Sequence, residues 1–185
     1  MERKSISMSV GIVVRKTPGV TRWAKWAWKA VSVLPGAGPA DWRELRREGD
    51  AVEYHAGTLP LELFRTDTEA YITALANDPP SVYVIMRPSE RPDRELELLL
   101  ITASAFEAQD YQDSSEEIVE PVPMTAGMIA WVREWVDFHH VEEKFIKRRR
   151  DKKNIDMADD GIGDERIRQT ADVYRSPGSK KRTLQ

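Results

Sequence analysis

The sequence predicts a single α+β domain: a mostly antiparallel, curled sheet or partial barrel with two short helices and a long C-terminal helix, followed by a disordered tail. Three observations carry this. Ile6, Met8, Val10, Ile12 and Val14 alternate with small residues, the period of a half-buried strand. Further apolar, β-branched runs follow, several joined by turn-length connections that suit antiparallel neighbours. From Thr125 the apolar period lengthens to that of a helix, and beyond Asn154 the chain is polar with few large apolar residues. On these grounds residues 1–153 form the domain, ending in a basic helix terminus, and residues 154–185 form a disordered polar tail.

The elements follow in order. Thr17, Pro18 and Gly19 punctuate a turn after the first strand. In the next stretch, WAKWAWKAVSVLPG, the residues Trp26, Trp28, Ala30 and Leu34 fall on one face, and the alternation closed by Pro35 and Gly36 favours a strand over a helix. Residues 42–47 suit a single helical turn. Residues 50–56 and 59–65 read as two strands of a hairpin joined near Gly57. Pro60, lacking an N–H, places the second of these at a sheet edge or has it start just after the proline. Thr66 and Glu69 make a capping box that opens a short helix through Ala76. SVYVIMR is a continuous apolar run, the mark of a strand buried on both faces. Residues 95–102 make another strand, and Ser104 with Glu107 caps a second short helix towards Tyr111. Residues 118–122 add a short strand. Thr125 then N-caps the long helix, on which Met128, Ile129, Val132, Trp135, Val136 and His139 recur at core spacing.

Composition narrows the function classes. At 185 residues, the chain has room for one domain and a tail. It contains no cysteine, which removes disulfides and thiolate metal sites and suits a cytoplasmic protein. No apolar run approaches the ~20 residues that span a bilayer, and the strand-like N-terminal alternation argues against a signal peptide. The net charge of −3 hides a division: residues 144–185 carry 13 Lys/Arg against 7 Asp/Glu, leaving 15 against 24 in the rest. Such asymmetry marks an interaction tail, or a tail lying against its own acidic body.

Three groups of residues are candidates for chemistry. In FHHVEE, the spacing of His139, His140 and Glu143 on a helix lets imidazole and carboxylate face one another and hold a divalent metal. The competing reading is a core-facing His139 with a surface pair of His140 and Glu143. The tryptophans, Trp23, Trp26 and Trp28 with Trp42, Trp131 and Trp135, form either a stacking platform or core. The basic cluster Lys144, Lys147, Arg148, Arg149, Arg150, Lys152 and Lys153 is either a partner-binding surface or a charge run favoured at a helix C-terminus. Its single aromatic, Phe145, falls short of a nucleic-acid reader. No phosphate loop, nucleophile elbow or complete catalytic set is present, so no catalytic residue and no cofactor are assigned.

Taken together, WAWKAVSVLPG, YHAGTLPLELFRTDTEAY, SVYVIMR, TASAFEAQDYQDSSEEIVEPVPM and FHHVEEKFIKRRR resemble an uncharacterised bacterial family, over approximately residues 6–150. Its members are often encoded beside molybdenum-dependent formate dehydrogenases. The resemblance implies a non-enzymatic accessory or maturation protein that binds a protein partner, formate dehydrogenase or its maturation machinery. The alternatives are a metal- or cofactor-binding protein centred on the His-His-Val-Glu-Glu cluster, and nucleic-acid binding through the basic segment.

Overall fold

The computed structural model describes residues 4–19, 25–92 and 94–141. These belong to one compact unit, Met1–Glu142. Its organising strand is β1, Ser5–Pro18, in which residues 10–14 are all buried, Val10, Ile12 and Val14 completely, so this stretch is covered on both faces rather than half-buried as its alternation suggests. One side of β1 pairs with β4 (Ala51–Phe64), from Ser5 opposite Phe64 to Lys16 opposite Val52. The other side pairs with β2 (Trp26–Pro35), and β3 (Arg43–Glu48) lies on the far side of β4. All neighbours are antiparallel, in the order β2-β1-β4-β3.

A second antiparallel sheet has β5 (Ser81–Pro88) between β6 (Leu96–Thr102) and β7 (Ile118–Pro123). In β5 the consecutive residues Val84, Ile85 and Met86 are all fully buried, as the continuous apolar run predicts for a strand covered on both faces. Strand β4 contacts β6 and β2 contacts β7, so the sheets meet along both sides of a shared core.

Three helices complete the unit: α1 (Thr68–Leu75), α2 (Ala105–Ser114) and α3 (Ala126–His139). Helix α3 buries Met128, Val132, Trp135 and Val136 and packs on α1. Two predicted caps are present. Ser104 accepts from the Glu107 N–H at 3.1 Å, and Thr125 accepts from the Met128 N–H at 3.4 Å. Ser104→Ala is expected to cost about 1 kcal/mol, the usual loss for an N-cap hydroxyl, measurable by urea unfolding. The first capping box does not form. Asp67, not Thr66, is the N-cap of α1 and makes no side-chain cap bond, while the Thr66 hydroxyl donates to the Asp67 carboxylate.

Four other expectations are corrected. Residues 43–48 are a strand, because five of them pair with β4 and that ladder outweighs local helix preference. The expected hairpin at Gly57 is one continuous 14-residue strand. Ile12 pairs with Gly57 and Val13 with His55, so Ala56 is an extra residue, and the signal read as a turn is a bulge. Pro60 does sit on an open edge, since β3 pairs only with residues 51–55 of β4. In β2, Val13 pairs with Ser32 and Val14 with Ala30, leaving Val31 as a second bulge. It brings Val33 to the core and turns Leu34 outwards.

The fourth correction concerns the long helix. Helix α3 ends at His139, and His140 is already extended (φ −72°, ψ 126°), with its N–H on the Val136 carbonyl. The segment expected to carry it to Lys153 and the tail at 154–185 lie outside the described residues. Among the described residues, no helix is long and apolar enough to cross a membrane.

Candidate functional site

Paired residues of an antiparallel ladder share a face, so the two bulges decide which side chains gather at the far end of β1. Counting back from Leu59 without the Ala56 bulge would place His55 on the core-side face. With it, Tyr54 pairs with Val14 and takes that face, and His55 turns to the other. The Val31 bulge likewise aligns Trp28, opposite Lys16, with Ala30 and Val33. Lys16, Trp28 and Tyr54 therefore stand together just beyond the end of the core.

Trp42, the residue just before β3, completes the group. Its backbone is left-handed (φ +47°), a conformation that costs a tryptophan about 1–3 kcal/mol. Its N–H donates to the Ala56 carbonyl at 3.2 Å, which ties this strain to the bulge. The Trp28 and Trp42 rings meet edge to face at 5.5 Å and 84°, and Trp42 and Tyr54 meet at 6.1 Å and 61°. Trp28 and Tyr54 are 6.3 Å apart. At these spacings the rings touch, so nothing intercalates between them; a ligand lies across the cluster.

The pocket over this cluster has a volume of about 320 Å³ and is also lined by Lys16, Pro92, Arg94 and Glu95. The Lys16 ammonium lies 4.5 Å from the Trp26 ring centroid and 4.7 Å from that of Trp28. It also donates to Glu95 at 3.3 Å, and the Trp28 indole N–H donates to the second Glu95 oxygen at 2.9 Å. The indole bond, and after it the Lys16 ammonium, hold the Glu95 carboxyl below its ordinary range despite partial burial. Arg94 forks onto Asp41 with bonds of 3.1 and 3.4 Å. The site is thus aromatic at its base and charged at its rim, with no nucleophile and base in contact.

A second cleft, between β2 and β7, is lined in part by Lys29 and Glu120. Burial raises the Glu120 carboxyl above its ordinary range, and Lys29 only partly opposes this.

The sequence candidates are distributed differently. His139 stacks on Trp135 at 3.9 Å, and His140 Nδ1 lies 3.0 Å from the Thr68 hydroxyl on α1. His139 is the last residue of α3 and His140 is extended, and Glu143, the third residue of that candidate set, lies outside the described residues. Among the described residues no three His, Asp or Glu side chains gather to hold a metal. His55 is 3% exposed and sits across the β1–β4 ladder from the aromatic face. Lys144, Lys147, Arg148, Arg149, Arg150, Lys152 and Lys153 lie outside the described residues.

The tryptophans divide between the two readings. Trp135 is core, whereas Trp28 and Trp42 line the pocket. Tyr54, Lys16, Arg94 and Glu95 carry no sequence signal for this site, because both bulges and the contact across 79 residues between Lys16 and Glu95 are tertiary facts.

Residues 9–149 match the family described as "Protein of unknown function (DUF3305)". No curated protein and no solved structure matches.

Proposed function

The chain belongs to the DUF3305 family, and from that membership together with the aromatic pocket we propose a non-enzymatic, cytoplasmic accessory or maturation protein that binds a protein partner. The partner proposed is a molybdenum-dependent formate dehydrogenase or its maturation machinery. That identity rests on the resemblance of the sequence motifs to a family encoded beside those enzymes. Partner binding rests on one observation above the others. Three large aromatic rings are held in mutual contact at a pocket open to solvent, one of them on a strained backbone, with paired charges at the rim. Interface hot spots have this composition, an aromatic anchor with charged residues around it. The basic residues from Lys144 to Lys153 add long-range attraction to an acidic partner, acting mainly on association rate.

The test is recovery of formate dehydrogenase subunits by tagged full-length chain from its native cells, identified by mass spectrometry. Trp42→Ala is expected to lower recovery by at least about ten-fold, as loss of a hot-spot aromatic does. Changing the seven basic residues to glutamine is expected to slow association and to remove its salt dependence. Recovery that is the same for all three proteins would sink the proposal.

A further inference from the structure

The two ion pairs at the pocket rim share an asymmetry. In each, the cation is the covered member and the acid the exposed one. Lys16 is 19% exposed against 53% for Glu95, and Arg94 is 21% exposed against 74% for Asp41. Lys16 is moreover held against two indole faces. The fixed charges of the pocket are therefore positive, and its carboxylates are the members that water, or another carboxylate, can replace. Lys25 adds a third cation near Glu95.

Resting on the protein-partner reading above, we infer that the pocket receives an acidic peptide segment of the partner, in which a carboxylate adjoins an aromatic or proline ring. The ring lies across Trp42 and Tyr54, which cannot admit it between them. The carboxylate takes the place of Asp41 on the Arg94 fork, where bidentate geometry is already set. Lys16 also lines the pocket and attracts the same charge. A cationic side chain would meet aromatic faces here too, but among the residues that line the pocket it would enter beside two covered cations, Lys16 and Arg94, and one carboxylate, Glu95, with Asp41 more exposed outside that lining. Charge complementarity thus selects the acid.

The probes are small molecules with one ring and different charges: N-acetylphenylalanine, its neutral amide, phenethylammonium and phenyl phosphate. Binding is read on the full chain from the indole N–H signals of Trp28 and Trp42 in ¹H–¹⁵N spectra. N-Acetylphenylalanine is expected to shift both signals saturably, and the amide to bind about five-fold more weakly, the upper range for a partly exposed ion pair. Arg94→Met is expected to remove most of that preference, and Lys16→Met part of it. Asp41→Asn is expected to tighten the carboxylate probe, a gain that misfolding cannot imitate.

Equal binding of acid and amide, preference for phenethylammonium, or no saturable shift overturns the assignment. Tighter binding of phenyl phosphate overturns it in favour of a nucleotide. A partner recovered from cells whose binding ignores Lys16 and Asp41 keeps the partner reading and removes only this one. Carboxylate selectivity without any recovered partner does the reverse.

Discussion

Gly11→Ala is expected to destabilise the domain by about 3 kcal/mol, the upper end of the usual cost of overpacking. A Cβ at Gly11 would lie 2.5 Å from His55 Nε2 and 2.8 Å from the Ala37 Cβ, well inside contact distance on two sides. Neither neighbour is free to retreat. The Thr58 hydroxyl spends its one proton on the Gly38 carbonyl at 2.7 Å, so it accepts from His55 Nε2–H at 3.0 Å. Moving the imidazole breaks this chain, and moving Ala37 disturbs the loop anchored by the Gly36 N–H on the Ser9 carbonyl. For a domain of this size the cost lowers the melting temperature by roughly 10 °C. His55→Ala alone also destabilises, by leaving a cavity. The double variant is expected to lose less than the sum by about 1 kcal/mol or more, because removing the ring relieves half of the clash. Additive losses in urea titrations would show that the imidazole does not dictate glycine at this position.

The same network shows what the sequence makes legible. Alternation located β1 and β2, a continuous apolar run located β5, short runs between turns located β6 and β7, and hydroxyl caps located the starts of α2 and α3, because these signals depend on neighbours a few residues away. Gly57 misled because a glycine between two apolar runs looks the same whether the chain turns or bulges. What separates the two is the partner strand, and β1 is more than forty residues distant. Residues 43–48 misled for a related reason: their ladder with β4 is visible only once β4 is known to be continuous. The candidate site suffers most from this. Tyr54 and His55 exchange faces through one inserted residue, so the side chain in the pocket and the one buried behind it cannot be told apart by counting. Tryptophan content drew attention to Trp28 and Trp42. Their rim of Lys16, Glu95, Arg94 and Asp41 is assembled by contacts spanning 53 to 79 residues, for which local sequence carries no signal.

Tyr71→Phe is expected to change the pH dependence of stability rather than only its level. Tyr71 is 1% exposed, and its oxygen accepts the Phe64 N–H at 2.9 Å, fastening the end of β4 to α1. Burial, assisted by Asp67 and Glu107 and opposed by the Phe64 bond, pushes its hydroxyl up from 10.0 to about 12. In the unfolded chain the phenol ionises near pH 10, so above that pH the unfolded state sheds its proton while the folded state keeps it. Bound protons are then fewer in the unfolded state, and stability falls as pH rises. The stabilisation is whole below pH 10 and is lost progressively towards pH 12, in total about 2–3 kcal/mol. Phenylalanine cannot ionise, so the variant is spared this loss. At neutral pH, however, it leaves the Phe64 N–H without its acceptor and is less stable by about 1–2 kcal/mol. The two stability curves should therefore cross near pH 11, with the variant the more stable protein above that point. Urea unfolding at intervals between pH 8 and pH 12 measures both curves, and the remaining tyrosines, common to both proteins, cancel in the difference. Curves that stay parallel across this range would mean that the Tyr71 hydroxyl ionises as easily in the fold as in water. The close packing of α1 over the end of β4 would then be wrong.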